Sequence, residues 1–229
     1  MTEQEIFNVP VPVATKSYAP VAHQSLVSEI REQLDRHNLI VASTTYQAAR
    51  DGRQLIGFMD INSGDSELGF RLGFRNSYDK SMSAALVAGG VVWICSNGQV
   101  RGDIAFIRKH TGSIVHELKN KIEFAINTLQ DDHIILNRHK ESMKSIQTDR
   151  EVVAQLAGEL FLNQDIITST QLNILKREID KPSFDYNAPN SLWETYNHLT
   201  HALKTSHPTE YFERHQRLHE FVETEYELI

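Results

Sequence analysis

Basic side chains are concentrated in one part of this 229-residue chain, where they could bind an anion. Eight Lys or Arg and three acidic residues lie between positions 70 and 121, which gives this window a formal charge of +5. The remainder has fifteen basic and twenty-seven acidic residues, and the whole chain carries −7. The whole chain therefore lacks the net positive charge of proteins that coat nucleic acid. The charge of the window is nevertheless typical of a local anion-binding face.

Alternation along residues 68–75 separates apolar from basic side chains if the segment is a strand. The apolar side chains on one face are Leu68, Phe70, Leu72 and Phe74. Arg71 and Arg75 fall on the other face with two glycines, which predicts a shallow, open surface that a phosphate backbone could approach closely. The alternative is that these are ordinary solvated sheet residues that pair with acidic helices.

The eleven histidines raise the question of metal or acid–base chemistry, but their spacing favours ordinary positions on solvated helices. His198 and His201 are three residues apart and His215 and His219 are four apart, so each pair can share a helical face. The HExxH pattern is absent, and a zinc site would need a further ligand in a recognised spacing. Four others lie on or near a predicted long helix without metal-type spacing: His110, His116, His133 and His139. The sequence predicts no metal and no cofactor.

Nucleophilic catalysis has no recognisable motif, since GxSxG, a P-loop and a helix-opening GxGxxG are all absent. Cys95 is the single cysteine, which excludes an internal disulfide and fits a reducing cytosol. It follows Trp93 in an uncharged apolar segment, so both are expected to be buried and chemically quiet. A non-enzymatic protein is favoured, and a nuclease site assembled from distant carboxylates stays an open alternative.

Glycine and proline usage divides the chain into a strand-rich and a helical part. Ten of the eleven glycines lie between positions 52 and 112. Strands are predicted at 39–49, 53–61, 66–75, 83–88, 91–96 and 99–108, with turns at Asp51-Gly52, 62–65, Gly89-Gly90 and Asn97-Gly98. Helices are predicted at 21–37, 113–146, 149–162, 169–180, 190–205 and 208–225, with a capping box at 148–151 and Pro208 in the last helix's first turn. The expected fold class is α+β: an antiparallel meander sheet preceded by one helix and followed by a long helix and a helical C-terminal region.

Three parts are expected along the chain: an extended, non-helical arm over 1–20, an α+β core with the long helix over 21–146, and a helical region over 147–229. Residues 81–100 form an uncharged run long enough to span a bilayer, but its glycine pairs favour two strands and a turn. The first residues lack the basic-then-apolar pattern of a secretory signal. We therefore expect a cytoplasmic protein without a membrane partner.

Several short motifs resemble those of a known family. They are Phe74-Arg-Asn-Ser-Tyr-Asp-Lys-Ser81, Val92-Trp-Ile-Cys-Ser-Asn-Gly98 and Arg108-Lys-His-Thr-Gly112, together with Tyr18 and Val21 at the entry to the first helix. Over about residues 15–130 the chain resembles the phage- and plasmid-encoded proteins of the domain of unknown function 932 family. This resemblance implies an origin in a mobile genetic element, where the cytoplasm would be that of the host cell, but it implies no reaction.

The expected nucleic-acid-binding set combines the basic residues of these motifs, which have no equally evident folding role, with two further arginines of the basic window. The members of this set are Arg71, Arg75, Lys80, Arg101, Arg108, Lys109 and His110. The favoured function is non-enzymatic handling of nucleic acid, with single-stranded DNA bound through the basic sheet face for recombination or annealing. The alternative is a protein-interaction module that inhibits a host defence or replication protein through its acidic helical surface, particularly 210–227.

Self-association is the first testable expectation. The proline-interrupted arm is unsuited to a central strand, and a continuous helix over 113–146 would be about 50 Å long, which exceeds the width of a small domain. Exchange of both elements with a neighbouring copy would accommodate them, so we expect a homo-oligomer in a native mass measurement at micromolar concentration. A monomer whose arm packs on its own domain would contradict the idea.

Overall fold

The computed structural model describes residues 1–100, 106–111 and 114–228. Two units divide the chain. Unit 1 comprises residues 1–65, 69–89 and 103–130, and unit 2 comprises residues 66–68, 90–102 and 131–229.

An antiparallel sheet forms the strand-rich part of the chain. Its strands are β1 (Val41–Ala49), β2 (Gln54–Ile61), β3 (Leu68–Ser77), β4 (Ala84–Val92), β5 (Asn97–Val100) and β6 (Phe106–Arg108). The strand order is β1-β2-β3-β4-β5, and β6 pairs with β4 so that Arg108 lies opposite Ala84. Helices precede and follow the sheet, so the predicted α+β class with an antiparallel sheet is confirmed.

The turn between the last two long apolar runs lies four residues later than predicted. Gly89-Gly90 is inside β4, and Asn97-Gly98 opens β5 instead of forming a turn. The chain reverses at residues 93–96, where the Ser96 amide donates to the Val92 carbonyl at 2.8 Å and Ser96 has φ 54°. Trp93 is consequently only half-buried, contrary to expectation, whereas Cys95 is buried.

The described helices follow the predicted periodicity closely. They are α1 (Glu3–Phe7), α2 (His23–Arg36), α3 (Ile114–Ser145), α4 (Arg150–Gly158), α5 (Ser169–Asp180), α6 (Leu192–Leu203) and α7 (Tyr211–Glu225), and a π-helical turn (Glu159–Asn163) follows α4. The long helix α3 is continuous, although the boundary between the two units falls within it at 130/131. Among the described residues, no helix has both the length and the apolar character needed to cross a membrane.

Three helix starts differ from the sequence prediction. The arm is not wholly extended, because Thr2 and Glu5 form a capping box that starts α1. Asp149, not Thr148, caps α4 by accepting from the amides of residues 151 and 152. Pro208 precedes α7 by three residues and does not occupy its first turn.

The core of unit 1 lies between α2 and one face of the sheet. Leu26, Val27 and Ile30 of α2 are buried in a cluster with the apolar face of β3. Ile6 of α1 belongs to the same cluster, so the arm packs on its own unit and does not require a neighbour for burial. Each such side chain contributes about 1.5–3 kcal/mol when fully buried.

The core of unit 2 is formed mainly by its helices. Trp193, Tyr196 and Leu199 of α6 are buried with Leu218 and Val222 of α7. β5 contacts both of these helices. The helical C-terminal region is therefore a packed core and not a set of solvated helices.

A glycine in β2 sets how closely an aromatic ring can approach the strand. Gly57 lies opposite Phe74 in the β2–β3 register, and a Cβ at Gly57 would be 2.2 Å from the Phe74 Cζ atom. Phe74 is fully buried. We expect Gly57→Ala to lower the free energy of unfolding by about 1–3 kcal/mol, because the ring has no free space to move into.

Gly158→Ala is the matched control, since a Cβ there meets nothing within 4 Å and the residue has helical φ and ψ. It should raise the free energy of unfolding by about 0.5–1 kcal/mol. Urea unfolding of both variants tests this pair, and effects of the same sign would contradict the packing argument.

Candidate anion-binding site

A cleft in unit 1 brings together residues of three sequence motifs. Its volume is about 450 Å³. The lining residues are Ser17, Tyr18, Lys80, Ser81, Met82, Ser83, Lys109, His110 and Thr111. The two lysines, Ser17, Ser81 and Thr111 are exposed, whereas Tyr18, Met82 and His110 are buried. The rim of this cleft is therefore cationic and hydroxyl-rich, and its floor is aromatic and apolar.

A tight turn after β3 presents Lys80 to the cleft. The Asp79 carboxylate accepts from the Ser81 amide at 3.0 Å, an Asx-type turn, and Lys80 has φ 62°. Gln54 of β2 donates to the same carboxylate at 2.9 Å. The Lys80 ammonium lies 4.6 Å from the centre of the Tyr18 ring, so a cation–π contact helps to hold it above the cleft.

His110 is a neutral, buried imidazole on the cleft floor. It is 6% exposed, and among the described residues neither ring nitrogen has a hydrogen-bond partner. Burial lowers the pKa of His110, which keeps the ring uncharged at neutral pH. A neutral ring has one N–H donor and one acceptor nitrogen. Because unpaired buried polar atoms are costly, a ligand that bonds to this ring would remove an energetic penalty.

The position of these groups depends on a hydrogen-bonded network behind the cleft. The Asn76 side-chain amide donates to the Val21 carbonyl at 2.7 Å and to His23 Nδ1 at 3.0 Å. His23 Nε2 donates to the Gly52 carbonyl at 3.0 Å, and the His23 amide donates to the Tyr78 hydroxyl at 2.7 Å. The start of α2 is thereby fixed to the end of β3.

Two further hydrogen bonds extend this network to the cleft. The Tyr18 hydroxyl donates to the Tyr78 carbonyl at 3.2 Å, and the Ala19 amide donates to the His110 carbonyl at 3.0 Å. Motif residues that lie far apart in sequence are therefore neighbours in the fold.

The electrostatics of the cleft favour a negatively charged ligand. No acidic side chain is among the described residues that line it. Asp79 is not among the lining residues; its carboxylate accepts from the Ser81 amide and lies 3.7 Å from Arg50. Burial alone would raise the pKa of Asp79, but hydrogen bonds from Ser81 and Gln54 and the Arg50 charge outweigh it and lower the pKa. The two lysines thus face the ligand without a competing carboxylate on the cleft wall.

The prediction of an open, basic sheet face at Arg71 and Arg75 is wrong. The two arginines are 8% and 5% exposed, and the face they share is buried although they alternate with the apolar residues as predicted. Arg71 lies opposite Asp60 of β2 and bonds to both carboxylate oxygens, at 2.6 and 2.9 Å. Arg75 donates to the Ser83 carbonyl at 3.3 Å. Sequence reasoning overlooked Asp60, the one acid in β2, as a cross-strand partner.

The remaining predicted site residues fall into two groups. Lys80, Lys109 and His110 are brought together in the cleft. Arg108 ends β6, and Arg101 lies outside the described residues. The cleft adds Tyr18 and several hydroxyl groups that no spacing rule indicated, although Tyr18 was part of the family motif.

Three of the four histidines that were expected on solvated faces of the C-terminal helices are buried. His198 is 3% exposed, and His215 and His219 are fully buried. His219, Glu223 and the distant His139 have ligand-type atoms that all lie within 4.8 Å of one another, so they could hold a metal ion. The i, i+4 spacing of His219 and Glu223 is visible in the sequence. Nothing in the sequence links them to His139, which lies eighty positions before His219.

The acidic segment 210–227 is partly balanced by its own basic residues. Arg214 bonds to Glu210 at 2.9 Å, one turn away on α7. Glu220, Glu225 and Glu227 are exposed. The segment therefore has an accessible acidic edge, and nothing in the described part of the chain points to a particular partner for it.

Comparisons with known proteins identify a family but no activity. A family model described as Domain of unknown function (DUF932) matches residues 10–223. No curated protein and no solved structure matches the chain.

The buried ring of His23 makes the stability of unit 1 depend on pH. Burial lowers the pKa of His23 to about 4, from 6.5 in an unperturbed histidine. The unfolded chain therefore takes up this proton at a higher pH than the folded chain does. The stabilisation is complete above pH 6.5 and declines as the pH falls towards 4, by up to roughly 3 kcal/mol.

His23→Gln removes this titration and keeps a polar side chain of similar reach. Urea unfolding of wild type and variant between pH 7.5 and 4.5, as a test range, should give curves that converge as the pH falls. The other buried histidines titrate in both proteins and cancel in the difference. Parallel curves would show that His23 does not carry this pH dependence.

Proposed function

The chain belongs to the domain of unknown function 932 family, and we propose that it is a non-enzymatic nucleic-acid-handling protein that binds single-stranded DNA in the cleft between Lys80 and Lys109. The setting we propose is a phage or plasmid, with the protein acting in the cytoplasm of the host cell. The cleft replaces the sheet face around Arg71 and Arg75 as the proposed binding surface, because those arginines are buried.

The observation that carries this proposal is the convergence of two exposed ammonium groups, several hydroxyl groups and a neutral imidazole without an acidic wall. Phosphate oxygens accept hydrogen bonds from all three kinds of group, and charge-assisted bonds from lysine are the strongest of them. The second argument concerns His110, whose buried nitrogens lack partners among the described residues and whose single N–H would donate to a phosphate or sugar oxygen.

The dimensions of the cleft favour a single strand. A volume of about 450 Å³ is near the lower end of the range for small-ligand clefts, about 300–1,000 Å³. One or two nucleotide units fit such a space, whereas a duplex does not. A protein that holds the backbone leaves the base edges free to pair with a second strand, which is the geometry that annealing requires.

Replacing both lysines tests the proposal. We expect Lys80→Gln/Lys109→Gln to weaken binding of single-stranded DNA by about 1–3 kcal/mol, with a similar reduction for all sequences, because interactions with phosphate carry no sequence information. The log–log dependence of affinity on salt should become shallower by about 0.7 for each phosphate that the variant no longer neutralises. Fluorescence anisotropy across a salt series measures both quantities.

Lys176→Gln/Lys181→Gln is the matched control, since it removes the same charge from exposed positions on and after α5 in unit 2. It should leave both the affinity and the salt dependence near the wild-type values. Equal reductions in affinity for the two double variants would show that only net charge matters, and absence of binding by wild type at about 50 mM salt would refute the proposal. The second result would favour the protein-interaction alternative.

A further inference from the structure

A buried histidine pair and a carboxylate converge in unit 2, and none of the three residues is used in the proposed function. His139 is on α3, and His219 and Glu223 are one turn apart on α7. Their ligand-type atoms all lie within 4.8 Å of one another. From this arrangement we propose that His139, His219 and Glu223 bind a divalent transition-metal ion of the zinc class.

The separations between the donor atoms match those of metal ligands. His139 Nδ1 lies 3.1 Å from His219 Nε2, and His139 Nε2 lies 3.7 Å from a Glu223 carboxylate oxygen. Two ligands at about 2.0–2.1 Å from a tetrahedral zinc ion are roughly 3.3 Å apart. The distance between His139 Nδ1 and His219 Nε2 is close to this value, and the three ligand atoms, one from each side chain, all lie within 4.8 Å of one another, so side-chain rotations can bring all three donors onto one ion.

Tyr196 of α6 supplies the outer contact that a metal-binding imidazole usually has. Its hydroxyl is 2.9 Å from His219 Nδ1, the ring nitrogen on the far side from His139. If His219 Nδ1–H donates to this hydroxyl, the lone pair of Nε2 is directed at the ion, and the ring orientation is fixed. Tyr196 is fully buried, so its hydroxyl is held beside His219 by the packing of unit 2.

The donor set selects the class of ion. Two imidazoles with one carboxylate suit zinc and similar transition metals, whereas calcium and magnesium prefer oxygen ligands throughout. The two rings are 2% and 0% exposed, but the Glu223 side chain is 30% exposed and leaves an entry path. Lys140, next to His139 on α3, is paired with Glu67 at 3.1 Å, so a carboxylate offsets its charge.

The two imidazoles of the proposed site are already in contact with each other. In the metal-free protein, one imidazole N–H is shared between His139 Nδ1 and His219 Nε2, and stacking of the two rings at 5.3 Å holds them in place. Binding the ion through His139 Nδ1 would move that proton to His139 Nε2 by tautomerisation and replace the hydrogen bond with two metal–nitrogen bonds. The site is therefore largely pre-formed, because α3, α6 and α7 already fix the positions of the rings.

Metal binding by the full chain tests the proposal. Chelator-treated protein is titrated with Zn²⁺ against a competing chromophoric chelator, and with Co²⁺ by visible absorption. We expect one tight site per chain, a Co²⁺ spectrum of four- or five-coordinate intensity, and a higher unfolding temperature with Zn²⁺. His139→Gln, His219→Gln and Glu223→Gln should each weaken Zn²⁺ binding by more than tenfold, and Tyr196→Phe by about tenfold or more.

His215→Gln is the matched control, because it removes a buried histidine one turn before His219 on the same helix. It should leave Zn²⁺ affinity within about twofold of wild type. Circular dichroism of the metal-free proteins verifies folding, and the Glu223 variant, which changes a partly exposed group, remains informative if a histidine variant unfolds. A wild-type Co²⁺ spectrum of weak, octahedral type, or Zn²⁺ affinity unchanged in Glu223→Gln, would overturn the proposal.

Discussion

Buried N–H groups cannot be left without hydrogen-bond partners at low cost, and the side-chain N–H groups of Asn76 place this constraint at the centre of unit 1. Its two N–H groups are directed at the Val21 carbonyl and the His23 ring, so the end of β3 and the beginning of α2 are held in one arrangement. His23 can accept the bond only while its ring is neutral. The turn that carries Lys80, the Tyr18 ring and the His110 backbone are all attached to this core of polar contacts. The cleft therefore has its shape because a polar network, and not only apolar packing, joins the elements around it.

Periodicity and glycine usage were enough to predict the helices, the antiparallel sheet and the order of the elements. α5 was predicted to the residue, and α3 to within one residue at each end. The errors occurred where a local hydrogen bond decides between alternatives of similar propensity. Gly89-Gly90 has the composition of a turn, but the chain turns at Ser96, where its amide reaches the Val92 carbonyl. Likewise, Thr148 and Asp149 are both good caps, and only the geometry shows which side chain meets the amides.

The candidate site could be predicted in part. Lys80, Lys109 and His110 were identified because their charges had no evident folding role, and the fold places them together. Arg71 was assigned to the same set by strand alternation and is buried, since its partner Asp60 lies eleven residues earlier on the neighbouring strand. Whether a basic side chain faces solvent or an acid depends on strand register, which composition does not contain. The His139–His219 pair illustrates the same limit. The two histidines are eighty positions apart, and the helices that carry them must pack together before the ring nitrogens meet.

The buried position of Cys95 has a practical consequence for the two units. Cys95 is the single cysteine of the chain and lies in the core cluster of unit 2. Its backbone carbonyl accepts a hydrogen bond from the Lys204 ammonium. A thiol reagent can reach it only when the surrounding part of unit 2 opens. The rate of thiol modification in the native protein therefore measures the opening of unit 2 alone. Unit 1 contributes no background reaction because it contains no cysteine.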